Sequence, residues 1–363
     1  MSRAHGARLA ATSNTWSDAV LQPGEPKASE STSSDTIKKQ DSHNSSPPRR
    51  RGIRRLLSLV SRRKFLITAG LAAASTLALA EDTVIREPNH PELVKVDLPL
   101  PRLPEAFDGF TIAQLSDFHY DEVFTVVPIR KGVEIVNGQH PDLIILTGDF
   151  ATIPVLSLRD ERKAAKAAEP CAELLSQLRS RLGTLAVLGN HDVGSDPEFV
   201  TEALSHRGIS VLRNQSQAVE QSGSRLWVCG LDSLQGQPQI RTTLRAVPNN
   251  EPALLLVHEP DFADEASRYP VDLQLSGHSH GGQVWLPGIG APWLPRYARK
   301  YPRGHYMVGN LPLYTNVGLG TIRVPVRLNC TPEVTLFTLR AGKAKRETSA
   351  SVYTSRQRTR FPD

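Results

Sequence analysis

The sequence predicts an α/β domain with its sheet largely in the interior. Three observations carry this expectation. Six short apolar runs recur between residues 110 and 280. Each holds four to six aliphatic or β-favouring residues and stops at a polar cluster or a glycine, and stretches of helical spacing stand between them. Runs that are apolar on both faces read as strands covered on both sides, and strand–helix alternation supplies the covering layers. At 363 residues the chain is long enough for one large domain or two ordinary ones.

In chain order, residues 1–48 are rich in Ser, Thr, Asn and Pro. They carry too little apolar surface to offset chain entropy, so a disordered segment is expected. Residues 49–80 follow with a different logic. Eight Lys/Arg and no acid lie between Arg49 and Lys64, a 16-residue apolar run begins at Phe65, and the run ends in Ala78-Leu79-Ala80. A basic region, a short apolar region and a small-x-small ending together describe an export signal. "SRRKFL" resembles the twin-arginine type, whose partner is the Tat translocation machinery. The expected location is therefore periplasm, cell wall or the outer face of the cytoplasmic membrane, with membrane anchoring if the signal is retained. Residues 1–80 hold 13 Lys/Arg against 5 Asp/Glu, while the rest of the chain holds 30 against 32. The basic balance belongs to the leader, and no nucleic-acid partner is inferred.

The body is expected over residues 94–340. Its strands are "FTIAQLSD" (Phe110–Asp117), "DLIILTGDF" (Asp142–Phe150), "TLAVLGNHD" (Thr184–Asp192), "RLWVCGLD" (Arg225–Asp232), "ALLLVHEP" (Ala253–Pro260) and "DLQLSGHSH" (Asp272–His280). Helices are expected over Val127–His140, Ala164–Gly183 and Asp196–Gly208, the last with Asp196 as N-cap and Pro197 at the first helical position. "HYMVGNLPLYTNVGLG" and "PEVTLFTLR" read as antiparallel strands, with no second core and no repeat. Residues 341–363 read as a loose basic tail. Cys171, Cys229 and Cys330 are too few for a disulfide framework, although one pair is permitted.

The polar residues at the strand ends are not a random sample. They are Asp117 and His119, then Asp149, then Asn190, His191 and Asp192, then His258, then His278 and His280. In open α/β sheets, ligands collect beyond the carboxyl ends of the strands. Mixed carboxylates and imidazoles without cysteine suit Mn, Fe, Zn or Co, and the number of groups suits two divalent ions. His140, His206 and His305 lie outside the pattern. Gly281 and Gly282 allow either a plain turn or an approach for substrate.

The ordered set D-x-H, GD, GNHD, H and GHxH resembles the calcineurin-like metallophosphoesterase family across about residues 108–340. "GHSHGGQ", "LPLYTNVGLG" and "PVRLNCTPEVTLFTL" resemble its bacterial exported or membrane-associated branch, of the YkuE/YaeI type. The resemblance implies a four-layer α/β/β/α sandwich of two mixed sheets flanked by helices. It also implies that Asp117, His119 and His280 hold a first ion, that Asp149 bridges, and that Asn190, His258 and His278 hold a second. His191 is implied to face the scissile phosphate, while Asp192 orients it or stands behind the ligands.

The expected reaction is phosphoester hydrolysis, as phosphodiesterase or phosphatase, by in-line attack of a hydroxide held between the ions. Arg323 and Arg327, with the aromatic stretch Val284–Tyr301, are candidates to meet a phosphate-bearing lipid or envelope substrate. One alternative is the pyrophosphatase of UDP-2,3-diacylglucosamine in lipid A synthesis. Another, of a different class, is a non-catalytic metal-binding envelope protein. A redox centre of the purple-phosphatase type is disfavoured, since Thr152 stands where a tyrosine ligand is required.

Overall fold

The computed structural model describes residues 62–152 and 164–342. The expected disordered segment 1–48, most of the basic run and nearly all of the C-terminal tail lie outside the described residues. The apolar run from Phe65 lies in helix α1 (Arg62–Glu81), where Leu66, Leu71 and Leu77 are exposed. No helix among the described residues is long and apolar enough to cross a membrane.

Twelve strands among the described residues form two six-stranded sheets. In the first, β2 (Thr111–Leu115), β3 (Leu143–Leu146), β4 (Thr184–Ala186) and β5 (Ile209–Val211) run parallel, in that order. β12 (Glu333–Ala341) joins β2 antiparallel, and β1 (Glu92–Leu100) pairs parallel with β12 along its whole length. In the second sheet, β7 (Ser224–Gly230), β8 (Ala253–Leu256), β9 (Leu273–Ser276) and β11 (Leu311–Thr315) are parallel. β6 (Gln215–Gln221) and β10 (Gly304–Val308) close its edges antiparallel.

Side-chain alternation along these strands explains the layering. Leu143 and Ile145 point to a core shared with Leu254, Leu256, Leu273 and Leu275 of the second sheet. Ile144 and Leu146 point the other way, to Ile129, Val133 and Val136 of α2 (Val126–Gln139) and to Cys171, Ala172 and Leu175 of α3 (Ala168–Leu175). A third cluster packs Cys229, Leu255 and Leu313 against Ile240, Phe262 and Ala266. The order helix, sheet, sheet, helix is the expected four-layer sandwich, with apolar cores between layers rather than one central core. Burying these strands on both faces drives the assembly, at roughly 25 cal/mol per Å² of apolar surface.

Two details differ from expectation. The helix expected over Ala164–Gly183 is interrupted by a turn at Lys166 and Ala167 and ends at Leu175. After it, the Leu182 amide donates to Asp142 O and the Arg181 side chain pairs with the Asp142 carboxylate, pulling the chain onto the start of β3. Strands β1, β5 and β6 were not anticipated. All three cysteines are buried and free.

Beyond β4, the short helix α4 (Asn190–Ser195) precedes α5 (Pro197–Ser205). Asp196 caps α5, its carboxylate accepting from Phe199 N at 3.1 Å.

Candidate metal centre

The loops that leave the carboxyl ends of β2, β3 and β4 meet those leaving β8 and β9. Buried Gln114 ties the two sheets together beside this meeting point, donating to Thr147 Oγ1 and to Ser276 O, each at 3.0 Å. Three groups of ligand-competent atoms result, the atoms within each lying within 4.8 Å of one another. They are Asp117, His119 and His280; His119, Asp149 and His191; and Asp149, His258 and His278. Asp149 belongs to two groups and so stands between them.

Asp117, His119, Asp149, His278 and His280 all have left-handed backbone, with φ between 41° and 70°. The strand ends therefore do not simply run on. β9 stops at Ser276 and Ser279 is helical, so His278 and His280 reach the centre through a kinked turn rather than an extended segment. Gly277 is required by crowding: a Cβ there would sit 1.9 Å from Ser116 Oγ and 2.4 Å from Asp117 Oδ2. Gly281 and Gly282 make room for neighbours, not for substrate. Their Cβ atoms would meet Cys330 Sγ at 2.6 Å and Ala291 Cβ at 2.4 Å.

Hydrogen bonds assign the free nitrogen of several imidazoles. His258 Nδ1 donates to Thr147 O at 2.6 Å, leaving Nε2 for the centre, 3.1 Å from Asp149 Oδ2. His278 Nε2 donates to Arg296 O at 2.8 Å, leaving Nδ1. His119 Nδ1 lies 3.0 Å from Thr152 Oγ1, and its Nε2 faces His280 Nε2 at 2.9 Å. His280 Nε2 is 3.3 Å from Asp117 Oδ1. Partners behind the ligands fix ring orientation and tautomer in this way at metal sites. Thr152 was read only for the tyrosine it replaces, and its contact with His119 has no signal in the sequence.

The donor set passes a test of fit for cations. Among buried side-chain atoms, Asn190 Oδ1, His258 Nε2 and His280 Nδ1 have no hydrogen-bond partner. Buried polar atoms without partners are costly and rare, and one of these three, His258 Nε2, lies 3.1 Å from Asp149 Oδ2 in one of the ligand groups. Oxygen and imidazole donors without sulfur suit divalent transition ions.

The electrostatics have the same origin. Burial holds His119 and His278 down to about 3 and His280 well below the ordinary imidazole value. These rings are neutral at pH 7, as ligands must be. Burial opposes charge on His258 too, but Asp149 and Asp117 outweigh it and hold the ring well above its usual value. Burial pushes Asp117 up to about 6. Asp149 is held well below the carboxylate range, since His258, His191 and His119 outweigh its burial.

His191 packs edge-on to His119, ring centres 4.9 Å apart, and its amide donates to Asp149 Oδ1 at 2.9 Å. Burial lowers its pKa, Asp149 opposes this, and the charges of His258 and Arg323 lower it further.

Of the two places expected for Asp192, the structure shows the one behind the ligands: it is fully buried, and its carboxylate is occupied by four backbone amides. Oδ2 accepts from Asp149 N (2.8 Å) and Gly189 N (2.9 Å), and Oδ1 from Phe150 N (2.9 Å) and Ala151 N (3.0 Å). It shapes the loop that carries Asp149. Arg327, expected as a candidate to meet substrate, is instead enclosed. Its buried guanidinium donates to the carbonyls of Cys330, Val317, Gly318 and Gly320, which locks the segment against Asp117. Arg323 is exposed, with its guanidinium 4.7 Å from the ring centre of Trp293. The stretch Val284–Tyr301 is therefore partly packed and partly open, with Trp293 half exposed.

Residues 110–282 match the calcineurin-like phosphoesterase family. The chain is 37% identical over 289 residues to the uncharacterized metallophosphoesterase YkuE of Bacillus subtilis, covering 78% of this chain and 98% of that protein. It belongs to this family. The chain is also 32% identical over 288 residues to the phosphodiesterase YaeI of Escherichia coli, covering 77% of this chain and all of that protein. A more distant relative, 25% identical over 75% of this chain and 98% of its own length, is the UDP-2,3-diacylglucosamine pyrophosphatase LpxG of Chlamydia trachomatis. Family membership and phosphodiesterase relatives make this calcineurin-like protein a metal-dependent phosphoester hydrolase.

Proposed function

We propose that the protein is a two-ion phosphodiesterase or phosphatase that acts at or outside the cytoplasmic membrane on an envelope phosphate ester. One observation carries the reaction: two groups of ligand-competent side chains share Asp149, with His119 and His191 in one and His258 and His278 in the other. Asp117, His119 and His280 would hold one ion, Asn190, His258 and His278 the other, and Asp149 both. Ions bound there supply a nucleophile at neutral pH and neutralise charge on the phosphate. The chain supplies the rest. His191, neutral at pH 7, donates a hydrogen bond to the phosphate or leaving oxygen. Arg323 stands at the rim as a contact for substrate charge. Asp192 holds the Asp149 loop in shape.

The export reading rests on the basic run, the apolar run and the Ala78-Leu79-Ala80 ending. Residues 94–340 would then be the catalytic domain, following a disordered segment and a Tat-type leader. Cleavage of UDP-2,3-diacylglucosamine is the second reading, supported by likeness to LpxG. N-terminal sequencing of protein from the native envelope separates the two, since a start at Glu81 supports export and counts against a cytoplasmic lipid A step.

The test of catalysis is turnover of bis(4-nitrophenyl) phosphate with Mn(II), comparing wild type with His191→Ala. Turnover that falls about 10²–10⁴-fold with metal content retained supports the assignment. Metal uptake without turnover in wild type supports a non-catalytic metal-binding protein instead.

A further inference from the structure

The 60 residues from Leu273 to Pro332 contain no Asp or Glu, yet they hold six Arg or Lys. His278 and His280 open this run and Arg323 lies near its end, so the acid-free stretch borders the metal centre. Not all of its charge is available. Lys300 pairs with Asp264, and Arg327 is enclosed by carbonyls. Three arginines lie over aromatic rings: Arg303 over Trp285 at 3.5 Å, Arg296 over Tyr297 at 4.5 Å and Arg323 over Trp293 at 4.7 Å. No carboxylate lies within ion-pair distance of Arg323 among the described residues, and both Arg323 and Trp293 are exposed.

The loop that carries Arg323 is held from beneath. Gln283 is buried, and its side-chain nitrogen donates to Val324 O at 3.2 Å and to Val326 O at 3.4 Å. Its Oε1 accepts from Ile322 N at 2.5 Å, and its carbonyl accepts from Leu328 N at 2.9 Å. The amide thus grips the backbone on both sides of Arg323. Gln283 and Arg323 themselves have left-handed backbone, φ 58° and 65°. Such conformations persist where surrounding contacts over-determine them. Gln283 lies three residues beyond His280, so one turn delivers two imidazoles to the centre and sets the height of an arginine at its rim.

We propose that Arg323, stacked on Trp293 and positioned by Gln283, forms a subsite for a second anionic group of the substrate, next to the scissile phosphate. This rests on the hydrolase reading above and narrows it to diphosphates, or to phosphodiesters with a neighbouring phosphate or carboxylate. A planar guanidinium with a stacked face and open donors suits bidentate recognition of such a group. Gln283 acts through Arg323 and does not touch substrate.

The test uses the full-length, metal-loaded protein with two probes, bis(4-nitrophenyl) phosphate and P1,P2-bis(4-nitrophenyl) pyrophosphate, which carry one and two negative charges. Arg323→Ala is expected to lower kcat/KM for the pyrophosphate at least tenfold more than for the phosphate, chiefly through KM. Arg323→Lys should recover part of the difference. Gln283→Leu should shift the probe ratio in the same direction with metal content unchanged, and add little in the Arg323→Ala background. Equal losses on both probes in Arg323→Ala overturn the second-anion subsite while leaving the hydrolase reading intact. Should wild type turn over neither probe, the hydrolase reading fails, and calorimetry with inorganic pyrophosphate and orthophosphate decides the subsite. A pyrophosphate preference that drops at least tenfold in Arg323→Ala supports it, and one that survives overturns it.

Discussion

Asp192→Asn isolates the contribution of the loop that presents Asp149. The two carboxylate oxygens of Asp192 each accept two backbone N–H groups, all four within 2.8–3.0 Å and all buried. An asparagine supplies one oxygen and one NH2 group. Whichever way its amide is turned, two backbone donors lose their acceptor and face another donor. An unsatisfied buried donor costs about 1–3 kcal/mol, so the direct loss is about 2–6 kcal/mol. Removing the charge returns part of this, because burial and the Asp149 carboxylate push Asp192 up to about 7, a sign that its ionised form is costly without metal. A net destabilisation of about 2–4 kcal/mol is expected, read by urea unfolding of the metal-free protein. The pair released is either Asp149 N with Gly189 N or Phe150 N with Ala151 N, both in or against the loop that carries Asp149, so metal affinity should also fall about 10–100-fold, as when a partner behind a ligand is removed. Plasma emission after dialysis against metal buffers measures it. A variant within about 0.5 kcal/mol of wild type, with two ions bound at unchanged affinity, would refute the claim that this carboxylate organises the loop.

Other perturbations have equally definite outcomes. Metal binding to the apoprotein at pH 7 should release about one proton, because His258 is held protonated by its carboxylate neighbours while His119 and His278, lowered to about 3, are already neutral. Affinity should therefore rise about tenfold per pH unit near neutrality and level off above the His258 pKa. Calorimetry in buffers of different ionisation enthalpy counts the proton, and a count of zero would contradict the assignment. Arg327→Met leaves the buried carbonyls of Val317, Gly320 and Cys330 without their donor, while Gly318 O keeps Glu333 N. It should lower stability by about 3 kcal/mol or more in thermal melts, whereas Arg323→Ala should change stability by less than about 0.5 kcal/mol. Gly281→Ala drives a Cβ to 2.6 Å from Cys330 Sγ at a φ of 57°. It should destabilise by about 1–3 kcal/mol, and Cys330→Ala in the same chain should recover part of the loss in urea unfolding.

The strands most legible in the sequence are those whose identity is local. β3 and β8 are apolar and buried at every position, so an uninterrupted apolar run is their signature. β6 has only Val219 buried among its seven residues, and it is a strand because β7 offers it a complete antiparallel register. β1 likewise depends on β12, more than 200 residues away in the chain. A reading of local pattern has no access to such partners. The site divides along the same line. Which residue types gather, and after which strands, is visible in chain order, because the parallel topology turns order into proximity. How they point is not visible. Arg323 and Arg327 stand four residues apart in similar surroundings, and only the ring of carbonyls from Val317, Gly318, Gly320 and Cys330 distinguishes the buried clamp from the exposed rim.

In an extended chain His278 and His280 would share one face, yet both residues are left-handed with a helical Ser279 between them. They nevertheless fall into different ligand groups, one with Asp117 and the other with Asp149. The same backbone departure occurs at Asp117, His119 and Asp149. Asp and His are among the side chains that tolerate this conformation best, at about 1–3 kcal/mol each. Residues suited to hold a cation are thus also suited to the kinks that aim them at it. Five such positions in one centre represent strain that the surrounding clamps must offset: Asp192 on its four amides, Arg327 on its four carbonyls, and Gln283 beneath the rim. The rigid parts of this site are therefore the polar side chains buried behind the ligands, and substitutions there should loosen metal binding before they touch the chemistry.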